Sequence, residues 1–390
     1  MKKRGGKIVN FKLTEDQLRI QQLAKDLVAK EVAPNAKDWD KGEDFTPIYK
    51  MFKEKFAPLG LMGLPYPTEY GGAGADQISY ALASIEINKA CASTGCAYSV
   101  AISLNGWPIF AYGTEEQRRK YSVPLFQGKL VGAFGLTEPG AGSDSGAQLT
   151  TAVEDGDFYV LNGEKCFCTN AGLAEVYVVF AMTDKSKGVK GISAFIVEKD
   201  TPGFTFTKQE EKMGIRATVQ RNLFFENCRI PKENLLGKVG EGFKIAMTTL
   251  DGGRIGIAAQ GVGIAMGAYE YALKYSKERV QFGQPICNQQ VIAFKLAEMA
   301  TKIEAAKWLT LHAAYLKDNK LPYSKEAAMA KMFATDTAME VTTEAVQILG
   351  GHGFLRDHPV ERMMRDAKIT QIYEGTNEVQ KLVISGSILR

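Results

Sequence analysis

The sequence predicts an α+β multidomain protein: an all-helical N-terminal domain, a middle β-barrel or sandwich domain, and a C-terminal antiparallel helical bundle. Three observations lead there. Apolar residues recur at helical spacing up to about residue 128. From 129 to 237, short β-branched and aromatic runs alternate with turn signals. From Gly242 onward, three helical stretches each approach or exceed about thirty residues. A chain of 390 residues is long for one hydrophobic core, so we expect units over 1–128, 129–237 and 238–390.

The first helix opens at Thr14, with Gln17 completing a capping box and Leu13 and Leu18 placed as a hydrophobic staple. Leu18, Leu23, Leu27 and Val32 keep the period until Pro34 ends it. A second helical stretch over 47–56 leads to Pro58, and Pro65, Pro67 and Gly71-Gly72 mark a loop. Residues 77–112 read as mostly helical, with Ala90, Ala92, Ser93, Gly95 and Ala97 small enough for close helix approach. A further helix begins over 115–121. Strand texture starts at 130–136 and returns at 176–181, 192–197, 204–207 and 223–225. Asp155-Gly156, Asn162-Gly163, Lys187-Gly188 and Pro202-Gly203 punctuate it. Cys166 and Cys168 are expected on one face of a strand, as packing residues. The long helices are expected over 243 to about 281, 289–317 and 324–349, with a short helix near 359–367 and a last one after Thr376.

The net charge of +4 is carried by Lys2, Lys3, Arg4 and Lys7. The body is therefore balanced, and nothing points to nucleic acid. Residues 1–10 read as a disordered tail, since Ile8-Val9-Asn10 is too short an apolar run for a signal peptide. The longest uncharged run, between Arg254 and Glu270, falls short of a bilayer span and contains Gln260, so no membrane insertion is expected. The cysteines form no CxxC pair and only three histidines exist, which argues against a disulfide framework or a zinc site and for a cytoplasmic location.

Glu374 stands on a turn between Tyr373 and Gly375, ahead of a helix that Thr376 can cap. Apolar flanks raise a carboxyl's pKa, which suits proton abstraction from carbon; the alternative is an ordinary carboxylate at a helix entry. The glycines of GVGIAMG (261–267) lie inside a helical pattern with no strand ahead, so no Rossmann fold is expected. LTEPGAGSD (136–144) follows a strand and offers hydroxyls and backbone N–H groups to polar ring atoms or a pyrophosphate, or else is a plain Gly/Pro turn. Arg279 suits a phosphate or a solvated helix end. Gly350-Gly351 suits close backbone approach or a C-cap. Asp251 and Arg254 are spaced as an intrahelical ion pair.

In this order LTEPGAGSD, LDGGR (250–254), ERVQFG (278–283), QILGGHGF (347–354) and IYEGTNE (372–378) resemble the signatures of the acyl-CoA dehydrogenases, over essentially 11–390. The short-chain, butyryl-CoA branch is the nearest in pattern. The resemblance implies the acyl-CoA dehydrogenase fold, FAD as cofactor, and Glu374 as the catalytic base acting on the carbon beside the thioester carbonyl. It implies that Phe134, Leu136, Thr137, Gly142, Ser143, Phe167 and Thr169 border the isoalloxazine. Arg279, Gln281, Gln289, Gln290, Gln347, Gly350 and Gly351 would hold the adenine and pyrophosphate end across a subunit boundary, with Thr376 and Glu378 touching the same FAD. Ser143, Asp251, Arg254 and Gly375 would meet the acyl-CoA. The family carries a homotetramer, a dimer of dimers, and passes electrons to electron-transferring flavoprotein.

Two positions discriminate within the resemblance. Branches acting on isovaleryl and long-chain substrates carry their base just before the arginine matched by Arg254, where this chain has Gly253, so Glu374 is the base expected here. Phe167 departs from the usual tryptophan beside the flavin. The expected reaction is α,β-dehydrogenation of a short-chain acyl-CoA to the trans-2-enoyl-CoA. The alternatives are the same site run as an enoyl-CoA reductase, a dicarboxyl or aryl acyl-CoA as substrate, oxygen as acceptor, and a catalytically silent acyl-CoA-binding protein. No cation stands over 96–103 for a dicarboxylate.

Overall fold

The structure, a computed structural model, describes residues 12–389; the tail expected over 1–10 lies outside them. Helix Glu15–Glu31 starts where its cap predicts. Thr14 Oγ1 accepts from Gln17 N (3.2 Å), and Gln17 Oε1 accepts from Thr14 N (2.9 Å). Gln17 Nε2 also donates to Asp76 Oδ2 (2.7 Å), while Asp76 Oδ1 accepts from Ser79 N and caps helix Gln77–Ala90. One capping residue thus steadies another 59 positions away.

The stretch 77–112 is not one helix. Cys91 takes an extended backbone (φ −158°, ψ 110°), which turns the chain into helix Ala92–Ser99, then a wide π-helical turn Val100–Gly106 and helix Trp107–Tyr112. Nearly all of Gln77–Ala90 and Ala92–Ser99 is buried, so apolar content alone did not reveal the break.

The middle region forms one eight-stranded sheet of β1 (Gly132–Gly135), β2 (Thr151–Asp155), β3 (Phe158–Thr169), β4 (Val176–Met182), β5 (Ile192–Glu198), β6 (Phe204–Phe206), β7 (Gln220–Pro231) and β8 (Leu235–Leu236). Its order is β6-β7-β3-β2-β4-β5-β8, with β1 parallel to β4. Every residue of β4 is buried. Its Val178 and Phe180 face the N-terminal helices, whereas Tyr177, Val179 and Ala181 join Leu161, Phe195 and Phe225 inside the sheet.

Helices Gly242–Glu278, Gln290–Asp318 and Ser324–Leu349 build the bundle, completed by Val360–Thr370 and Asn377–Ile388. The first has 37 residues and spans about 55 Å. It ends at Glu278 because Val280–Gln281 and Gln284–Pro285 pair as a small hairpin turning at Phe282 and Gly283, both at positive φ. Residues 279–283 therefore belong to a hairpin rather than to a helix end.

Buried polar groups tie the three regions together. Asn170 accepts from Tyr49 OH (2.8 Å) and donates to Gly132 O (3.0 Å) and Ala97 O (3.2 Å). Arg365 bridges Asp40 (2.6 Å) and Glu361 (2.8 Å) and donates to Met213 O (3.1 Å). Among the described residues no helix is long and apolar enough to cross a membrane, and no cluster suits a metal ion.

Candidate active site

The ends of β1 and β3, the 92–106 segment, the long helix Gly242–Glu278 and the turn 373–375 converge on a cavity of about 190 Å³. Glu374 sits at this convergence with φ +51°, a left-handed conformation that an L-residue holds only under constraint, followed by Gly375 at φ +90°. The constraint is visible. Tyr373 OH donates to Gln260 Oε1. Gln380 Nε2 donates to Gly375 O (2.8 Å) and Glu374 O (3.3 Å). Lys331 Nζ donates to Gly375 O (2.9 Å) and Asn377 Oδ1 (2.8 Å). Thr376 Oγ1 accepts from Val379 N and caps the last helix.

Glu374 as a residue is half-buried, but its Oε2 is sealed from solvent and has no hydrogen-bond partner. Burial pushes the carboxyl up to about 8, against the lowering pull of Lys331 and Arg254. The space it occupies exists only because residue 253 is glycine: a Cβ there would stand 2.1 Å from Oε2 and 3.1 Å from Leu104 Cδ2. The glycine on the long helix and the carboxylate on the turn are one arrangement.

LTEPGAGSD closes on itself through a bridge between Glu138 and Ala141 and is clipped from behind. Glu138, buried, accepts from Leu149 N (2.6 Å), Thr150 N (3.0 Å) and Lys165 Nζ (2.7 Å). Lys165, with no exposed surface, also donates to Leu136 O (3.2 Å) and Gln148 Oε1 (2.8 Å). Burial pulls the Lys165 ammonium down to about 8, partly offset by Glu138. Burial also works against the Glu138 carboxylate, but Lys165 outweighs it and keeps that group below its ordinary value. This clip leaves Gly142 and Ser143 exposed and Thr137 half-buried at the cavity.

At the end of β3, Phe167 adopts φ +58° and the pairing with β7 shifts register between Lys165 and Cys168. That irregularity separates two cysteines expected on one face: Cys168 packs inside the sheet and donates to Phe134 O (3.2 Å), while Cys166 lines the cavity. Phe167 is 64% exposed. Arg254 is buried and paired with Asp251 (2.7 Å), which Ser324 Oγ also engages (2.8 Å). The Arg254 Nε has no partner.

The structure divides the expected site residues into two sets. Phe134, Leu136, Thr137, Gly142, Ser143, Phe167, Thr169, Arg254, Glu374 and Gly375 line the one cavity; Asp251 stands behind Arg254. Arg279, Gln281, Gln290, Gln347, Gly350, Gly351 and Glu378 are exposed, and Gln289 and Thr376 half-buried, none of them lining it. Sequence reasoning passed over Glu138, Lys165, Gln260 and Lys331. A signal for Lys331 was present: it falls in the helical stripe of Ala327, Ala334 and Ala338, all buried, where a lysine is out of place.

Comparison with known proteins agrees with this geometry. Models of the acyl-CoA dehydrogenase N-terminal, middle and C-terminal domains match residues 14–129, 133–228 and 240–389. The short-chain specific acyl-CoA dehydrogenase of Clostridium acetobutylicum is 53% identical over 382 residues, covering 98% of this chain and all of that one. The solved butyryl-CoA dehydrogenase of Megasphaera elsdenii is 50% identical with a TM-score of 0.95, covering 98% and 100% of the two chains. A chain in a structure described as the electron transferring flavoprotein of Acidaminococcus fermentans, solved toward a mechanism of flavin-based electron bifurcation, is 56% identical with a TM-score of 0.95 over 98% and 100%. A lone carboxylate facing a small-residue loop, set in three regions that each match the same family, places this chain in the acyl-CoA dehydrogenase family of oxidoreductases acting on CH–CH groups.

Proposed function

We propose that the protein removes a proton and a hydride from the α- and β-carbons of a short-chain acyl-CoA, butyryl-CoA first, giving the trans-2-enoyl-CoA. The observation that carries this reading is Glu374 Oε2, sealed and unpartnered beside a cavity of about 190 Å³. Acyl-CoA dehydrogenases are FAD flavoproteins, and this chain's residues suit FAD. The loop 136–144 brings hydroxyls and exposed backbone to the cavity, and a Cβ built on Gly142, Gly350 or Gly351 meets nothing within 4 Å, so the backbone is open to a ligand there.

When bound, FAD supplies the hydride acceptor. Glu374, in its ionised form, takes the α-proton onto the unpartnered Oε2. The amide N–H of Glu374 donates to the thioester oxygen and stabilises the charge that develops there. Gly253 leaves room for the carboxylate to approach the α-carbon, while Arg254, held by Asp251, biases it toward the ionised form. Thr137, Ser143 and Thr169 would hold the ring of FAD, and Arg279, Gln281, Gln289, Gln290, Gln347, Gly350 and Gly351 would hold its adenine end in a homotetramer. Electron-transferring flavoprotein is the acceptor. The reduced, mostly buried cysteines suit a cytoplasmic setting.

Anaerobic titration with C4, C6, C8, glutaryl and aryl CoA thioesters, following the flavin band, tests the substrate assignment. Complete bleaching by butyryl-CoA and weaker response to longer or charged acyl groups is expected; preference for the glutaryl or aryl thioester would overturn it. The reverse reaction, reduction of an enoyl-CoA, uses the same base and is read by oxidation of the reduced protein with crotonyl-CoA.

A further inference from the structure

Lys331 has no exposed surface, yet it lies in the middle of helix Ser324–Leu349 among buried alanines. Its ammonium donates to Gly375 O (2.9 Å) and Asn377 Oδ1 (2.8 Å), both neutral acceptors. Taking an ammonium out of water without a paired anion is costly, and an apolar side chain would fill the same stripe at no such cost. Its retention in this packing needs a counter-charge, and the strongest anion acting on it is Glu374.

The other cation near the base is already matched. Arg254 is bonded to Asp251 at 2.7 Å. Asp336, the next acid near Lys331, accepts from Gln371 Nε2 (2.6 Å) and Asn377 Nδ2 (2.7 Å). Facing Glu374 are Lys331 from one helix, Arg254 from another, and the neutral Cys96, Tyr80 and Tyr373. Facing Lys331 are Glu374, Asp336, Arg254 and Glu378. Lys331, unlike Arg254, is thus a cation beside the base whose hydrogen bonds go only to neutral acceptors.

We propose that Lys331 is the positioning residue of the Glu374 base: it locks the strained turn through the Gly375 carbonyl and the Asn377 amide, and its charge sets the pH at which Glu374 releases its proton. The inference rests on the reading of Glu374 as the base. Burial draws the Lys331 ammonium down and the Glu374 carboxyl up, and the charge of each opposes the other's shift. A change of charge on one therefore moves the other.

The test compares wild-type, K331M, K331R and E374Q holoproteins. The readouts are the pH profile of kcat/KM with butyryl-CoA and an infrared titration of the carboxyl band that E374Q removes. K331M should move both the ascending limb and the carboxyl titration upward by about one pH unit, and K331R, which keeps a permanent charge, should leave the limb no higher than in wild type. A K331M protein slowed equally at all pH values, with its limb unmoved, overturns the proposal and leaves Lys331 a packing residue. Should K331M not fold, a limb raised in K331R overturns it alone. If E374Q keeps the wild-type limb, the base assignment itself falls, which is a different outcome.

Discussion

Glu374 shows how one side chain depends on another's absence. With a Cβ at residue 253 only 2.1 Å from its Oε2, Gly253→Ala should push the carboxylate off the α-carbon. We expect a kcat drop of about a hundredfold, with fold and FAD content kept; stopped-flow reduction by butyryl-CoA beside a thermal melt reads both. The second residue-scale expectation concerns pH. A base raised to about 8 by burial is protonated below that value and ionised above it. The kcat/KM profile, which reports the free enzyme, should therefore rise through about pH 8 rather than near the ordinary carboxyl range. Glu374, Asp251 and Arg254 were legible in the sequence because each sits in a short local pattern. Lys331 and Lys165 were not, because their partners Gly375, Asn377 and Glu138 come near only through folding.

Among elements, local signals fixed helix ends well and interruptions badly. Ser324–Leu349 begins and ends where the pattern does, and Thr14 and Thr376 cap the helices that follow them. The break at Cys91, the hairpin at 280–285 and the irregularity at Phe167 were hidden, since each is set by packing or by a positive φ at a residue that is not glycine. The loop 136–144 depends on the buried Lys165–Glu138 pair. Lys165→Met should leave Glu138 buried without its cation and destabilise the protein by roughly 3–5 kcal/mol. A lowered melting temperature together with faster FAD loss is the expected result; FAD loss with unchanged stability would mean that the clip is not what holds the loop.

At the scale of the whole molecule, the three-region architecture was readable because texture changes twice along the chain, and family models for an N-terminal, a middle and a C-terminal domain match residues 14–129, 133–228 and 240–389. On the proposed function, one chain holds only part of the cofactor site: the residues proposed to border the ring line the cavity, while Arg279, Gln281, Gln290 and Gln347 stand exposed elsewhere. The expectation is that FAD retention follows assembly. Dilution below the dissociation range of the proposed tetramer should release FAD in step with loss of mass by light scattering. Arg279→Ala should weaken FAD binding by about tenfold or more, the scale of one charged hydrogen bond, while leaving Glu374 and its infrared band untouched. FAD held equally well by a dissociated chain would contradict the shared site.

The central claim is that Glu374 removes the α-proton of a short-chain acyl-CoA. Anaerobic addition of butyryl-CoA to FAD-loaded wild-type and Glu374→Gln proteins tests it most directly. The account predicts rapid bleaching of the flavin band in the wild type and none on the same timescale in the variant, with equal FAD content; bleaching of the variant at the wild-type rate would contradict it.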